Sequence, residues 1–97
     1  MQKTRHSEAE RWFAKAKAIA PADSSVRLHF GLFLLDLGRD LEAAEEFEVA
    51  ANAPGPEYEA VFNAAVAYRL AGRNARALEF YRRALEMRPE VRNRSRE

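Results

Sequence analysis

Two histidines and a group of glutamates are the side chains best suited to catalysis or metal binding in this 97-residue sequence. His6 and His29 are far apart in the chain, and the residues four places after them are Glu10 and Phe33. A helical metal site needs several ligands at such spacings, and His6 with Glu10 is a poor pair near a chain end. We therefore expect no metal site, and we interpret His29 as a residue that contacts a ligand or a neighbouring group.

Neighbouring glutamates could supply paired carboxylates, the groups that glycosidases use as acid and base. On a helix these four side chains spread around the circumference, so we expect them to be solvated: Glu42, Glu45, Glu46 and Glu48. The sequence also lacks cysteine, a Gly-x-Ser-x-Gly nucleophile motif and a phosphate-binding glycine loop. It therefore predicts a protein that is not an enzyme and that has no cofactor.

The composition is typical of one small globular domain. Apolar residues make up 47% and charged residues 32% of the sequence, which excludes a solvating, disordered chain. No apolar stretch approaches the roughly 18 residues of a membrane span, and no apolar segment follows the basic residues near Met1. We expect neither membrane insertion nor a signal peptide. The absence of cysteine is consistent with a reducing compartment, and we expect a cytoplasmic protein.

The charges are unevenly distributed along the chain. The net charge is +3 over residues 1–17, −5 over residues 36–48 and +3 over residues 82–97, but only +1 in total. A balance so close to zero argues against the broad positive face that nucleic-acid binding requires, so we expect no nucleic-acid partner. Solvated helix faces explain the pattern, as does contact with a charged protein partner or between acidic and basic surfaces of two copies.

A 34-residue period is the most informative feature of the sequence. Small, aromatic and glycine residues recur in the same register along consecutive segments. The repeated positions are Ala9, Ala43 and Ala77; Phe13, Phe47 and Tyr81; Ala16, Ala50 and Ala84; Gly31 and Ala65; Leu34 and Tyr68; and Gly38 and Gly72. Pro21 and Pro89 lie two periods apart, with Gly55 at the corresponding position between them.

Each period combines a small–large–small helix face with a glycine that stops the preceding helix. Alanine, an aromatic residue and alanine at positions i, i+4 and i+7 share one face, where small residues let a neighbouring helix approach closely. Gly38 and Gly72 suit the left-handed conformation that ends a helix. Asp40 and Asn74 are suitable N-caps for the helices that follow, and residues 7–10 form a capping box before the first helix.

This pattern resembles the tetratricopeptide repeat, a unit of 34 residues built from two antiparallel helices. The resemblance extends over residues 7–91: a second-helix half repeat at 7–23, full repeats at 24–57 and 58–91, and then a polar tail at 92–97. It implies one all-α solenoid domain of about five helices, near 7–19, 24–37, 41–53, 57–71 and 75–87. Two departures from the family pattern are Gly55 in place of the usual proline and Leu34 in place of the usual tyrosine.

The resemblance also implies a partner-binding groove, because the first helix of each pair lines the concave surface in this family. Its groove positions correspond here to Leu28, His29, Leu32, Leu35, Phe62, Asn63, Val66 and Arg69. A carboxylate clamp is not expected, since Leu28 and Leu32 stand where a lysine and an asparagine would be needed. We expect a protein interaction module that binds a partner peptide or helix in an apolar groove, although Leu28 and Leu35 suit the core equally well.

The unpaired first helix and the last helix leave apolar residues without an obvious cover. They are Trp12, Phe13, Leu85 and Met87, which predict self-association of the chain into a dimer or larger homo-oligomer. Alternatives are a self-assembling structural unit, a small secretion-type chaperone, and a piece of a longer repeat protein.

Overall fold

The computed structural model describes residues 2–20, 23–54 and 57–88, with side chains from residue 7 onward. Within these ranges the chain forms five helices and no strands: α1 (Gln2–Ile19), α2 (Ser24–Asp36), α3 (Asp40–Ala51), α4 (Tyr58–Leu70) and α5 (Asn74–Met87). The all-α architecture predicted from the sequence is confirmed. Successive helices from α2 to α5 pack closely, whereas α1 contacts α2 over a much smaller area.

The two glycine stops behave as the sequence predicts. Gly38 and Gly72 have φ angles of 77° and 79°, a left-handed conformation that costs a glycine little. After α2, the Arg39 amide donates to the Leu34 carbonyl at 3.0 Å and the Gly38 amide to that of Leu35, also at 3.0 Å. The corresponding bonds recur one period later at the end of α4. This Schellman arrangement satisfies the last carbonyls of each first helix and turns the chain into the second.

The core is built mainly from alanines with a few large side chains between them. Phe47, Phe80, Leu34 and Val61 are the largest fully buried side chains, and Tyr68 is the only buried side chain in the described residues that carries a polar group. A Cβ atom on Gly31 would lie 2.5 Å from the Phe47 ring, so only glycine fits there without displacing that ring. The small residues of the 34-residue period therefore allow close helix packing, as predicted.

Three details of helix initiation differ from the sequence prediction. The first helix begins at Gln2 instead of residue 7, so the expected capping box lies within the helix. Asp40 and Asn74 are the first residues of α3 and α5, where Arg39 and Arg73 occupy the N-cap positions without a side-chain cap. The N-cap with a side-chain bond is Asp23, whose carboxylate accepts from the amides of residues 25 and 26. Pro21, Gly55, Pro89 and the polar tail lie outside the described residues.

Candidate functional site

The exposed sides of the two first helices carry most of the predicted groove residues. We call this surface the front face, and its members are Ser25, His29, Leu32 and Asp36 on α2 and Phe62, Asn63, Val66 and Arg69 on α4. Leu32 and Phe62 are 39% and 38% exposed, which is high for large apolar side chains. Asn63 and Val66 are half-buried beside them. The front face thus combines apolar contact area with polar groups at its edges.

Two of the predicted groove residues do not belong to this surface. Leu28 is only 8% exposed and is part of the hydrophobic core, so its assignment to an open groove is wrong. Leu35 is half-buried and packs against the same core. Phe62 occupies the equivalent position one period later, on α4. Its side chain is larger than that of Leu28, and much of its ring is exposed.

An aromatic cluster forms the part of the front face nearest α5. The Phe62 ring stacks on Tyr58 at 5.8 Å between centroids and meets Tyr81 edge-on at 6.0 Å. Two arginines flank the cluster: the Arg69 Nε atom donates to the Tyr81 hydroxyl at 3.2 Å, and the Arg88 guanidinium lies 4.2 Å from the centre of the Tyr58 ring. Aromatic rings held by one another and by cations offer contact area at little cost in side-chain freedom.

A cavity of about 680 Å³ opens beside this cluster. It is lined by Glu57, Tyr58, Glu59, Phe62, Asn63 and Arg88. The lining presents an aromatic surface, carboxylates, an amide and a guanidinium, which suits the side chains and backbone of a peptide better than a purely apolar ligand.

His29 has a fixed orientation on the other half of the front face. Its Nδ1 atom lies 2.7 Å from the Ser25 carbonyl oxygen, so Nδ1 carries the proton and donates this bond. In the neutral imidazole Nε2 is then an acceptor. His29 can therefore accept a hydrogen bond from a ligand at Nε2.

Comparison with known proteins identifies the repeat. Residues 58–91 match the model of a tetratricopeptide repeat, and four chains of solved structures match the chain. One of them is MamA AMB-1, a protein that contains such repeats, with a TM-score of 0.72 and 28% sequence identity. The match covers 88% of this chain but only 50% of that one, so this chain spans about half its length. No curated protein matches.

Residues 58–91 thus form a tetratricopeptide repeat, and the structural match to MamA AMB-1 supports assigning the chain to this repeat family. This family generally provides non-catalytic scaffolds for contacts between proteins, so the tetratricopeptide repeats imply protein partners. None of the helices within the described ranges is both long and apolar enough to cross a bilayer.

The two ends of the helical array expose most of the residues predicted for self-association. Trp12 is 63% exposed, and Leu85 and Met87 are 38% and 39% exposed. Phe13 is different: its ring stacks on Phe30 at 5.1 Å, and it is half-buried against the core. Phe13 therefore holds α1 on α2 and offers a partner little free surface.

Three ion-pair networks between helices were missed by the sequence reasoning, which treated the glutamates of α3 as solvated. Glu46 accepts from Lys17 at 2.9 Å and from Arg27 at 3.0 Å, and its side chain is only 13% exposed. Glu48 pairs with Arg76 and also accepts from the buried Tyr68 hydroxyl. The expectation of solvation is wrong for both carboxylates, because charged partners lie 19–29 residues away in sequence.

The third network joins α1 to the turn before α3. Arg39 contacts Glu10 at 2.7 Å and Glu42 at 2.6 Å. The hydrogen bonds from Arg39 lower the pKa of Glu42 below its ordinary value and raise the pKa of the guanidinium itself. All three networks join helices to one another and stay away from the front face, so their role is structural.

Proposed function

We propose that this tetratricopeptide repeat chain is a non-catalytic interaction module that binds a partner peptide or helix across the front face. The observation that carries the proposal is the exposure of Leu32 and Phe62 on the face that lines the groove in this family. Exposed apolar side chains grouped on one face, with polar groups around them, are typical of protein interaction sites.

The polar residues of the front face give the partner a direction. The Nε2 atom of His29 accepts a hydrogen bond at one end, and the amide of Asn63 offers both a donor and an acceptor near the centre. Arg69 is oriented by its bond to Tyr81 and presents its remaining donors to a backbone carbonyl or a carboxylate. Apolar side chains of the partner would contact Leu32 and Phe62 between these groups.

The test is capture of partners from the native lysate by the wild-type chain and two variants. The double variant Leu32→Asp with Phe62→Asp places two carboxylates on the front face and should abolish capture. The matched control is Leu41→Asp with Leu78→Asp, which changes two exposed leucines, 37% and 51% exposed, away from that face. It should capture the same partners as the wild type.

Circular dichroism makes the outcome decisive. If the front-face variant keeps its helicity and still captures the same partners as the wild type, the front face is not the site. If it unfolds while the control remains folded, Leu32 and Phe62 are core residues and the proposal fails. Loss of capture by the control variant alone would place the site elsewhere on the surface.

A second candidate function, self-assembly, is favoured by the exposed apolar residues at both ends of the repeat array. Ile19 and Trp12 on α1, and Leu78 and Leu85 on α5, are 38–82% exposed. Repeat arrays without polar terminal caps tend to associate. Light scattering coupled to size-exclusion chromatography should show dimers or larger species at high micromolar concentration, and a monomer at that concentration would contradict self-assembly.

A further inference from the structure

One side of α1 corresponds to a surface that is covered in the other repeats. We call it the α1 outer face, formed by Ala9, Trp12, Lys15, Ala16 and Ile19. Adding two periods to residues 9, 12 and 16 gives 77, 80 and 84, the residues of α5 that are 2–4% exposed in the core. In α1 the same three positions are not buried, and Trp12 is 63% exposed.

The helix that covers these positions in α5 is α4, the first helix of the same repeat. Tyr68 of α4 stacks on Phe80 at 5.8 Å between ring centroids. In α3 the equivalent position is Glu46, whose carboxylate accepts from Arg27 of its own first helix, α2. Because α1 has small and aromatic residues at the same spacing as α5, its outer face is shaped to receive one helix of this type.

The surface around Trp12 is concave on both sides. One cavity of about 360 Å³ is lined by Trp12, Phe13 and Val26 together with Ser25 and His29. A second, also about 360 Å³, is lined by Trp12 and Val26 with Lys15, Ala16, Ile19 and Ala20. Val26 is half-buried, whereas Ala60, one period later, is 2% exposed, so the described residues leave Val26 without the cover that Ala60 has.

The turn that joins α2 to α3 and α4 to α5 does not recur before α1. The position equivalent to Gly38 and Gly72 is Thr4, which lies within the continuous helix α1. In the described residues only glycines have positive φ, and a threonine would be strained there. A covering helix joined to α1 by the repeat's own turn is therefore excluded.

A second folded copy is a poor source of the covering helix. Both of its first helices already bury their packing faces within their own repeats, including Gly31 and Ala65. The covering helix should instead be acidic. Lys15 on the α1 outer face and Arg11 next to Trp12 form no ion pair with a described residue, so two positive charges lie beside Trp12. An acidic amphipathic helix complements this charge.

We propose that the α1 outer face is a docking site for one acidic amphipathic helix of a partner protein, which packs against α1 as α4 packs against α5. The α1 outer face adjoins the front face at Ser25 and His29, but the proposal does not depend on binding at the front face. The two sites would let the chain hold one partner segment on the front face and a second partner's helix at its amino-terminal end.

Trp12 provides a direct test because it is the only tryptophan of the chain. The probe is a capped synthetic peptide with the sequence of residues 57–72, EYEAVFNAAVAYRLAG, which carries the packing face of α4 and no tryptophan. Titrating the full chain with this peptide should shift Trp12 emission to shorter wavelength and reach saturation. A control peptide with Ala65→Asp and Tyr68→Asp loses that packing face and should produce no shift.

Two protein variants locate the site. Ile19→Asp changes a side chain that is 82% exposed, so the fold should survive, and it should weaken binding of the peptide by roughly tenfold. Leu78→Asp changes an exposed leucine on α5 and should leave the titration unchanged. Leu32→Asp on the front face should also leave it unchanged, which separates this site from the proposed function.

Each of three other results would overturn the proposal. Absence of a saturable shift with the wild-type chain would show that the α1 outer face does not receive such a helix. Equal affinity for the wild type and Ile19→Asp would place the peptide elsewhere. A shift of Trp12 emission that follows protein concentration without peptide, together with a dimer in light scattering, would identify a second copy as the occupant.

Discussion

Helices α1 and α5 are both second helices of a repeat, yet they are held in different ways. Helix α5 buries Ala77, Phe80 and Ala84 against α4. Among its described side chains α1 buries none, and it contacts α2 through a small area around Phe13. The comparison shows that the sequence period alone does not determine burial, because a repeated residue is buried only where its neighbouring helix is present.

The junctions that attach the two helices differ in chemistry as well. The first junction joins α1 to α2 and α3, and the second joins α5 to α3 and α4. Lys17, Arg27 and Glu46 form a partly buried ion-pair triad between α1, α2 and α3. One period later the same three positions are Ala51, Val61 and Phe80, which are at most 2% exposed. One backbone arrangement therefore accommodates a charged triad at the first junction and an apolar triad at the second.

This difference predicts unequal strength at the two junctions. Burial of apolar area stabilises a junction whatever the salt concentration, whereas partly exposed ion pairs contribute little and are screened by salt. We expect α1 to be the more weakly attached end of the array. That weakness is consistent with an α1 outer face that gains a covering helix from a partner.

The largest effect is expected from truncating the apolar triad. Phe80→Ala should lower the free energy of unfolding by about 3–5 kcal/mol, because it removes a large side chain that is 2% exposed. The equivalent change in the charged triad, Glu46→Ala, should cost about 1–2 kcal/mol, between the values for exposed and buried ion pairs. Urea denaturation measures both. Equal losses would contradict the difference between the junctions.

Replacing the charged triad with the apolar triad should make the first junction more stable. The triple variant Lys17→Ala, Arg27→Val and Glu46→Phe copies the apolar residues from the second junction. It should raise the free energy of unfolding by roughly 1–3 kcal/mol, since well-packed apolar groups often outperform a buried ion pair. Its stability should also depend less on sodium chloride concentration than that of the wild type. Destabilisation by the exchange would show that the two junctions differ in shape and not only in chemistry.

The smallest effect concerns Tyr68, the polar residue of the second junction. Burial, followed by the bond to the Glu48 carboxylate, raises the pKa of Tyr68. The unfolded chain then loses the phenolic proton first, so the contribution of Tyr68 is complete below about pH 10 and is lost as the pH rises through the raised pKa.

Replacement of this hydroxyl provides the corresponding test. Tyr68→Phe should cost about 0.5–1.5 kcal/mol at pH 7, the usual value of one hydrogen bond, and it should flatten the loss of stability above pH 10. Urea denaturation at several pH values checks both. The same alkaline loss in Tyr68→Phe as in the wild type would contradict the role of Tyr68.

The sequence was sufficient to predict the repeat, the five helices and the glycine stops, because these depend on residue types at fixed spacing. Gly38 and Gly72 fill positions that local backbone geometry reserves for glycine. The exposure of Leu32 and Phe62 does not follow from register alone, because Val66 and Leu28 at the equivalent positions are half-buried and buried.

Contacts between side chains of different helices could not be predicted in the same way. The burial of Leu28 depends on how the core closes around α2, and the pairing of Glu46 depends on helices 19 and 29 residues away. The sequence did contain a signal for the pairing of Glu46. Lys17, Arg27 and Glu46 all carry charge where the next repeat has apolar residues.

Hydrogen exchange of the backbone amides tests most directly the claim that α1 is the weakly held, open end of the array. We predict that the amides of α1 exchange faster than those of α5, and that the difference grows in high salt. The peptide of residues 57–72 should slow exchange in α1 but not in α5. Equal protection of the two helices at low and high salt, with no response of α1 to the peptide, would contradict this account.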